Sequence, residues 1–287
     1  MRTILVTGAS TGVGLALSRL LLQTDDRLVL TARESSLPRF AAAGIQANER
    51  ILLRALDVTA AAARLDLIAE IEAHYDGVDV LVNNAGIAYR SVVEHVTEEE
   101  RVEQMGINFR SPMELTRLVL PSMRRKRCGS IINISSVGGM MAMPTMSVYS
   151  ASKFALEGAT ESLYYEVRPW GIKVSLIEPG FIHSSSFQNV HYTNLSYQSE
   201  IDPNEPYHKH YEHMGPFIER MMKRSIITPE KVARKIVKTI NHPNPPLRVR
   251  STPDAYFFDL LRRLLPRRLY HWILYRSLPG LAEWGKK

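Results

Sequence analysis

The sequence contains a single cysteine, Cys128, among its 287 residues, so no disulfide can form within the chain. This excludes a disulfide-stabilised secreted scaffold, and a reducing cytoplasm fits best. No run of about 18 uninterrupted apolar residues occurs, so we expect no membrane-spanning helix. The N-terminal residues lead directly into a strand-like run, without an apolar segment before a cleavage site, so we also expect no signal peptide.

Acidic residues are scarce at the C-terminal end of the chain. Residues 248–287 carry nine Lys and Arg against three Asp and Glu, which accounts for most of the net charge of +7. A basic groove running over the whole protein is therefore not indicated, and we expect no nucleic-acid partner.

Short apolar runs alternate with longer helical patterns through the first 180 residues. Nearly continuous apolar runs are typical of parallel strands that are buried on both faces. Stretches such as Val13 to Leu22 and Leu65 to His74 carry apolar residues at helical spacing. The pattern predicts an α/β fold with a single Rossmann-like, doubly wound parallel sheet of about seven strands and helices on both faces. The predicted strands are Thr3 to Val6, Arg27 to Thr31, Ile51 to Leu56, Val78 to Val82, Ser130 to Ile134, Lys173 to Ile177 and Leu247 to Val249.

The alternation stops after Gly180. Residues 183–228 are polar, aromatic and rich in histidine, and we interpret them as a substrate lid that is irregular as far as about Arg224. Thr228, followed by Pro229, then predicts the start of a helix.

The C-terminal extension, residues 251–287, alternates apolar clusters with arginine pairs on both sides of Pro266. This pattern predicts two short amphipathic helices that meet at the proline. In one interpretation they pack over a substrate cleft or a partner subunit. In the other they lie on an anionic membrane surface, where apolar burial and arginine attraction add.

A glycine-rich segment, Thr7 to Gly14, follows the first strand and opens the first helix. Glycines let the backbone turn sharply and approach a pyrophosphate, and the helix N-terminus offers unpaired N–H groups. A tight turn without a ligand is the alternative. The position of this segment favours a dinucleotide-binding domain that spans residues 1–250, to which residues 251–287 are added.

Arg33 and Asp57 each follow a predicted strand at the edge where a dinucleotide would lie. The residue after the second strand of such folds meets the adenosine ribose, and an arginine there can pair with a 2′-phosphate. The sequence therefore favours NADP(H) over NAD. Asp57 can accept a hydrogen bond from the adenine amino group, or it can cap the next helix.

Tyr149 and Lys153 are four residues apart in a predicted helix, so their side chains share one face. A nearby ammonium group would lower the pKa of the phenol and allow it to exchange a proton with an alcohol or carbonyl oxygen. Ser136 follows the fifth strand and can polarise such an oxygen. Its neighbour Ser135 is the alternative, and the spacing favours Ser136.

Five motifs in this order and spacing resemble the classical short-chain dehydrogenase/reductase family. They are Thr7-Gly-x-x-x-Gly-x-Gly14, Asn83-Asn-Ala-Gly86, Ser136, Tyr149-x-x-x-Lys153 and Pro179-Gly180. The resemblance covers about residues 2 to 250. Within the family, Thr31 to Arg33 and Leu56 to Thr59 look most similar to the branch of 17β-hydroxysteroid dehydrogenases, retinol dehydrogenases and carbonyl reductases.

The resemblance implies a catalytic tetrad of Asn108, Ser136, Tyr149 and Lys153. Asn108 would hold a water molecule for proton relay. The alternative is that Asn108 has only a structural role in a helix kink. Ser184 stands where the family commonly has threonine, and it keeps the hydroxyl. The implied cofactor contacts are Gly8, Ser10, Thr11, Gly12, Val13, Gly14, Arg33, Asp57, Val58, Asn84, Ala85, Gly86, Tyr149, Lys153, Pro179, Gly180, Ile182 and Ser184.

These residues predict an NADP(H)-dependent oxidoreductase that interconverts a secondary alcohol and a carbonyl on an apolar, steroid-, retinoid- or lipid-like substrate. A 3-oxoacyl or small carbonyl substrate is an alternative, and so is an NADP(H)-binding scaffold or regulator. The methionines at 140, 141, 143 and 146 form either an adaptable apolar pocket or part of the core. The resemblance also implies a homodimer or homotetramer formed through residues 101–120 and 149–167.

We expect no metal site, although His208, His210 and His213 lie close together in the sequence. They are not accompanied by cysteine or a strong set of carboxylates, and the predicted chemistry needs no metal ion.

Overall fold

The protein forms one parallel seven-stranded sheet in a computed structural model that describes residues 1–184 and 190–286. The strand order is β3-β2-β1-β4-β5-β6-β7. Every pair of neighbouring strands is parallel. The strands are β1 Thr3–Val6, β2 Arg27–Ala32, β3 Ile51–Ala55, β4 Val80–Asn83, β5 Gly129–Ile134, β6 Ile172–Glu178 and β7 Arg248–Arg250. All seven predicted strands are confirmed, with ends that shift by at most two residues.

Eleven α-helices occur in the described part of the chain, and the long ones cover the sheet. They are α1 Gly12–Leu21, α2 Pro38–Ala42, α3 Ala61–Tyr75, α4 Glu98–Met105, α5 Ser111–Lys126, α6 Ser147–Val167, α7 Asn194–Ile201, α8 His208–Arg224, α9 Pro229–Asn241, α10 Pro253–Leu264 and α11 Arg267–Arg276.

The apolar strand residues alternate between two cores, one on each side of the sheet. Ile4 and Val6 pack with α1, α2 and α9, whereas Leu5 packs with α3, α5 and α6. This arrangement explains the continuous apolar runs, because neither face of a strand meets water. The doubly wound α/β fold is confirmed. The chain changes direction between β1 and β4, the position at which ligands bind in folds of this kind.

The predicted lid is more regular than expected. It contains α7 and α8, so the interpretation of residues 183–224 as irregular was wrong for most of their length. In α8 the buried residues Tyr211, Met214 and Ile218 are spaced by three and four positions, as on one helix face. The histidines and charged residues between them hid this stripe. Residues 185–189 of the lid lie outside the described residues.

The C-terminal extension forms two short helices, α10 and α11, as predicted, and Pro266 separates them. Thr252 caps α10 by accepting a hydrogen bond from the Ala255 backbone. Among residues 1–184 and 190–286, no helix has both the length and the apolar character needed to cross a bilayer.

Candidate active site

The glycine-rich segment wraps closely against the end of β4. Gly8 and Gly12 have φ angles of +62° and +53°, which favour glycine. The Asn84 side chain donates to the carbonyl oxygens of Thr7 and Gly8, at 3.0 and 2.9 Å. A Cβ atom on Gly14 would lie 2.2 Å from the Gly8 oxygen, so the first turn of α1 has no room for a side chain there. The segment is thus a tight backbone cradle that ends in the N-terminus of a ten-residue helix.

Arg33 and Asp57 are both exposed at the carboxyl ends of their strands. Hydrogen bonds from Thr59 hold the pKa of Asp57 below its usual value, and the charge of Arg33 adds a smaller effect in the same direction. Asp57 accepts from the Thr59 backbone and hydroxyl at 2.8 and 2.7 Å. The residue that caps α3 is Ala60, so Asp57 does not have the capping role considered above.

An asparagine pair joins two strands directly beneath the site. The buried Asn83 side chain of β4 donates to the Asn133 side chain of β5 at 2.8 Å. Asn133 in turn donates to the hydroxyl of Thr160 in α6 at 2.9 Å. The Asn83 amide thus ties neighbouring strands together, and the sequence analysis missed the roles of Asn133 and Thr160. An asparagine inside an otherwise apolar strand was the available signal.

Ser136 and Tyr149 converge where β5 ends and α6 begins. Tyr149 is half-buried, and Gly138 lies against its ring, where a Cβ atom would approach Cε1 to 2.9 Å. Burial raises the pKa of the Tyr149 phenol, and a hydrogen bond with Ser136 lowers it in part. Ser135 points away and donates to Glu157 at 2.7 Å. The geometry thus agrees with the choice of Ser136 over Ser135.

Lys153 is buried one turn further along α6. Its ammonium group donates to the Ile134 carbonyl at 2.9 Å and lies 5.9 Å from the centre of the Tyr149 ring. Burial lowers the pKa of Lys153 to about 8, against the opposing effect of Glu157. The sequence predicted that Lys153 lowers the phenol pKa. In this structure burial instead raises the pKa of Tyr149, and the opposing effect comes from Ser136.

Asn108 lies in a π-helical turn, Gly106–Arg110, between α4 and α5. Its buried side chain accepts from the Ile87 backbone at 2.9 Å, donates to the Ile87 carbonyl at 2.9 Å and donates to Ser152 at 3.0 Å. Asn108 therefore ties the segment after β4 to α6, as the structural alternative describes. Its part in a proton relay stays a prediction.

The segment after β6 is held by the C-terminal extension. The Gly180 backbone donates to the Thr252 hydroxyl at 2.8 Å, and the Phe181 backbone donates to Asp254 at 2.7 Å. A Cβ atom on Gly180 would lie 1.9 Å from the Asp254 carboxylate. The segment that contains the predicted cofactor residues Pro179, Gly180, Ile182 and Ser184 is thereby fixed to the start of α10. No local sequence pattern indicated these roles of Thr252 and Asp254.

The extension also covers the segment that follows Ser136. Val137, Met140 and Met141 form a buried cluster, against which Phe258 of α10 and Leu274 of α11 pack. Arg262 donates to the Met140 carbonyl and lies 5.5 Å from the centre of the Phe154 ring. These contacts agree with the interpretation in which the two helices pack over the cleft, and they place two of the four methionines in a small core.

A buried charge network missed by the sequence analysis lies behind Ser135. Arg248 of β7 is within 2.6 Å of Glu157, 2.7 Å of Glu178 and 2.9 Å of Glu161. Burial and the neighbouring Glu157 raise the pKa of Glu178. Arg250 continues the network to Asp259 of α10 at 3.0 Å. An acidic residue at the end of an apolar strand, Glu178, was the only hint in the sequence.

The three lid histidines do not converge on one point. His208 contacts the Ser199 carbonyl, and His210 lies 4.2 Å from the ring centre of Trp284. His213 approaches Glu283 at 3.3 Å, and Glu212 completes a group whose ligand atoms could hold a cation. The ammonium group of Lys209 already lies 2.7 Å from Glu212, so this group has a cationic partner from the chain itself.

Comparisons with known proteins agree with the fold and the motifs. Residues 2–194 match the family model described as short chain dehydrogenase. The chain is 35% identical over 250 residues to a 3-ketodihydrosphingosine reductase of Bacteroides thetaiotaomicron, with 87% of each protein covered. It is 30% identical over 278 residues to human 17-beta-hydroxysteroid dehydrogenase type 1, covering 91% of this chain and 80% of that protein.

A solved short-chain dehydrogenase from Streptomyces avermitilis is 32% identical to the chain and superposes with a TM-score of 0.77, covering 95% of this chain and 97% of that one. Sequence and fold thus agree over nearly the whole length. The resemblance inferred from the motifs is confirmed, including its similarity to 17β-hydroxysteroid dehydrogenases. The chain belongs to the short-chain dehydrogenase family, whose members are nucleotide-dependent oxidoreductases acting on alcohols and carbonyls.

Proposed function

We propose that the protein is an NADP(H)-dependent reductase of lipophilic carbonyl compounds, with Tyr149 as the proton donor. The observation that carries this proposal is the convergence of Ser136 and Tyr149 above a buried lysine. In the reduction, a carbonyl compound, NADPH and one proton give an alcohol and NADP⁺, and the alcohol is secondary where the carbonyl is a ketone. The bound nicotinamide supplies the hydride, and the chain supplies the proton and positions the reacting oxygen.

The backbone cradle fits a dinucleotide. Gly14 has no space for a Cβ atom, Gly8 has a positive φ, and the free N–H groups of α1 face the same edge of the sheet. The other proposed contacts surround this edge: Ser10, Thr11, Gly12 and Val13 beside the cradle, Asp57 and Val58 after β3, Asn84, Ala85 and Gly86 after β4, and Pro179, Gly180, Ile182 and Ser184 after β6.

The choice of NADP(H) rests on Arg33. It is exposed directly after β2, and its charge helps to hold the pKa of Asp57 below the usual value. A guanidinium group there can form paired hydrogen bonds with a 2′-phosphate, whereas NAD would offer it only hydroxyls. Replacing Arg33 by Ala should weaken NADPH binding about tenfold or more and leave NADH binding unchanged, as measured by fluorescence titration. Equal weakening for both cofactors would contradict the 2′-phosphate contact.

Tyr149 is suited to donate a proton. Because burial raises its pKa, the phenol is suited to hold a proton and to donate it to a carbonyl oxygen. The Ser136 hydroxyl can donate a second hydrogen bond to the same substrate oxygen. Lys153 has a pKa of about 8 and therefore can exchange protons near neutral pH, in support of the phenol.

The proposed substrate is lipophilic because the walls beside Ser136 are apolar. Val137 and Met141, in the segment that follows Ser136, pack against Phe258 and Leu274 of the extension and form an apolar cluster there. Methionines adapt to ligands of irregular shape. The names of the two relatives given above, a ketosphingoid reductase and a hydroxysteroid dehydrogenase, support the same class.

A substrate panel tests the proposal. Long-chain 3-keto sphingoid bases, 17-ketosteroids and retinal would be compared with a 3-oxoacyl thioester and a small aldehyde, with NADPH oxidation as the readout. We expect turnover with at least one lipophilic carbonyl and a much lower kcat/KM for the small aldehyde. Silence across the panel, with NADPH binding intact, would instead favour the scaffold alternative.

We also propose a homodimer that forms through α5 and α6. Tyr165 of α6 is 63% exposed and Phe154 is 38% exposed, which leaves apolar surface on this helix. Sedimentation velocity should give a dimer that Tyr165→Glu converts to a monomer. A wild-type monomer would contradict this part of the proposal.

A further inference from the structure

The C-terminal extension exposes an unusual amount of apolar surface. Eighteen large apolar side chains are exposed in the described part of the chain, and seven of them lie between residues 256 and 275. These seven are Tyr256, Phe257, Leu260, Leu264, Leu269, Trp272 and Tyr275, and each is between 42% and 70% exposed. Single exposed apolar residues are ordinary, but a concentration of this kind marks an interaction surface.

The exposed residues occupy one side of each helix. At about 100° per residue, the four exposed residues of α10 fall within an arc of about 100°, and the three of α11 fall within about 120°. The opposite sides carry Ala255 and Phe258 in α10 and Tyr270 and Leu274 in α11, which are buried or pack on the protein. The extension therefore has an inner face toward Ser136 and an outer face, formed by the seven exposed residues, toward the surroundings.

Arginines accompany the outer face. Arg263, Arg268 and Arg276 are exposed and lie within or next to the arcs of α10 and α11 that carry the seven apolar residues. Arg263 pairs with Asp259 at 3.1 Å, and Arg276 lies 5.8 Å from the ring centre of Trp272. Among the ion pairs of residues 1–184 and 190–286, none involves Arg268 or Arg276. The outer face thus combines apolar side chains with uncompensated positive charge.

We propose that the outer face docks on the surface of an anionic phospholipid bilayer. Tryptophan and tyrosine side chains are suited to the headgroup region, leucine and phenylalanine to the acyl boundary, and arginine to lipid phosphates. A second copy of the chain is a poorer occupant, because a two-fold contact through this face would bring arginines of both copies together. The inner face covers the segment beside Ser136, so docking places α10 and α11 between the bilayer and the proposed active site.

Vesicle co-sedimentation of the full chain tests this docking. Phosphatidylcholine vesicles with phosphatidylserine should bind the protein, and pure phosphatidylcholine vesicles should bind it much less. Arg268→Glu/Arg276→Glu should weaken binding at least about 25-fold, since each arginine near an anionic surface contributes about fivefold. Leu264→Ser/Trp272→Ser should weaken it at least about tenfold, because these side chains would no longer be buried.

Two double variants serve as matched controls. Arg234→Glu/Lys238→Glu makes the same charge change on exposed positions of α9, and Leu65→Ser/Val93→Ser removes exposed apolar groups away from the extension. Both should bind vesicles within about threefold of wild type. Circular dichroism would show that every variant is folded.

Three results would overturn the proposal. The first is that wild type does not bind anionic vesicles. The second is that the controls lose as much binding as the outer-face variants. The third is that wild type does not bind vesicles and Leu264→Ser/Trp272→Ser changes the oligomeric state. The last result would identify the outer face as a contact between copies. None of these readouts depends on turnover, so the docking proposal and the proposed function can fail separately.

Discussion

The edge of the sheet proposed to bind the cofactor and the C-terminal extension meet at the segments that follow β5 and β6, but they are built from different interactions. The cofactor edge consists of backbone groups that parallel strands bring together, with glycines where the chain must pass closely. The extension is held by side chains: Thr252 and Asp254 bind the segment after β6, and Phe258 packs on the methionine cluster. A site built from backbone groups suits a cofactor that a whole family shares. An extension held by side chains can vary with the substrate.

The largest effect on stability is expected at the network that joins the two regions. Arg248→Met removes the cation shared by the buried carboxylates of Glu157 and Glu178 and leaves Glu178 only Arg250 at 3.7 Å, which should lower the free energy of unfolding by about 3–5 kcal/mol in urea denaturation. Arg263→Met, at an exposed pair with Asp259, is the matched control and should cost less than about 1 kcal/mol. Equal effects of the two changes would show that the buried network is not a stabilising link.

After Tyr149, Ser136 is the residue whose replacement should affect activity most. Ser136→Ala removes a hydrogen-bond donor to the substrate oxygen, so kcat should fall about 10²–10³-fold while NADPH affinity is kept. Ser135→Ala is the neighbouring control, and because its hydroxyl binds Glu157, it should change kcat by less than about tenfold. A larger loss in Ser135→Ala than in Ser136→Ala would reverse the assignment.

Lys153 should make stability depend on pH. Its folded pKa of about 8 lies below the unfolded value of about 10.5, so the unfolded chain binds more protons between these values. The unfolding free energy of wild type relative to Lys153→Met should therefore rise from about pH 8 to pH 10, by at most about 1.4 kcal/mol per pH unit. A difference that stays flat or falls over this window in denaturant titrations would contradict the buried, destabilised ammonium group.

The smallest effect is expected at the wall contributed by the extension. Phe258→Ala should raise KM for a lipophilic carbonyl about five- to tenfold, because a half-buried ring contributes about 1 kcal/mol of apolar contact. The affinity for NADPH should not change. Phe257→Ala alters the adjacent ring, which is 56% exposed, and should leave KM as it is. If both variants behave alike, α10 does not line the substrate site.

The same contrast explains what the sequence could predict. Strand positions follow from continuous apolar runs, and the cradle follows from glycines at Gly8, Gly12 and Gly14, because both signals are local in the chain. The helix α8 was missed because polar residues interrupt its apolar stripe. Arg248 and Asp254 act on partners about 70 residues away or more, and such contacts leave no local pattern.

Catalysis by a variant that lacks only the Tyr149 hydroxyl tests the central claim most directly. Tyr149→Phe keeps the ring against Gly138 and removes the group that donates the proton. In a carbonyl reduction assay with a parallel NADPH titration, we expect kcat to fall at least about 10³-fold while NADPH affinity stays within about threefold of wild type. Turnover near the wild-type rate would contradict the assignment of Tyr149 as the proton donor.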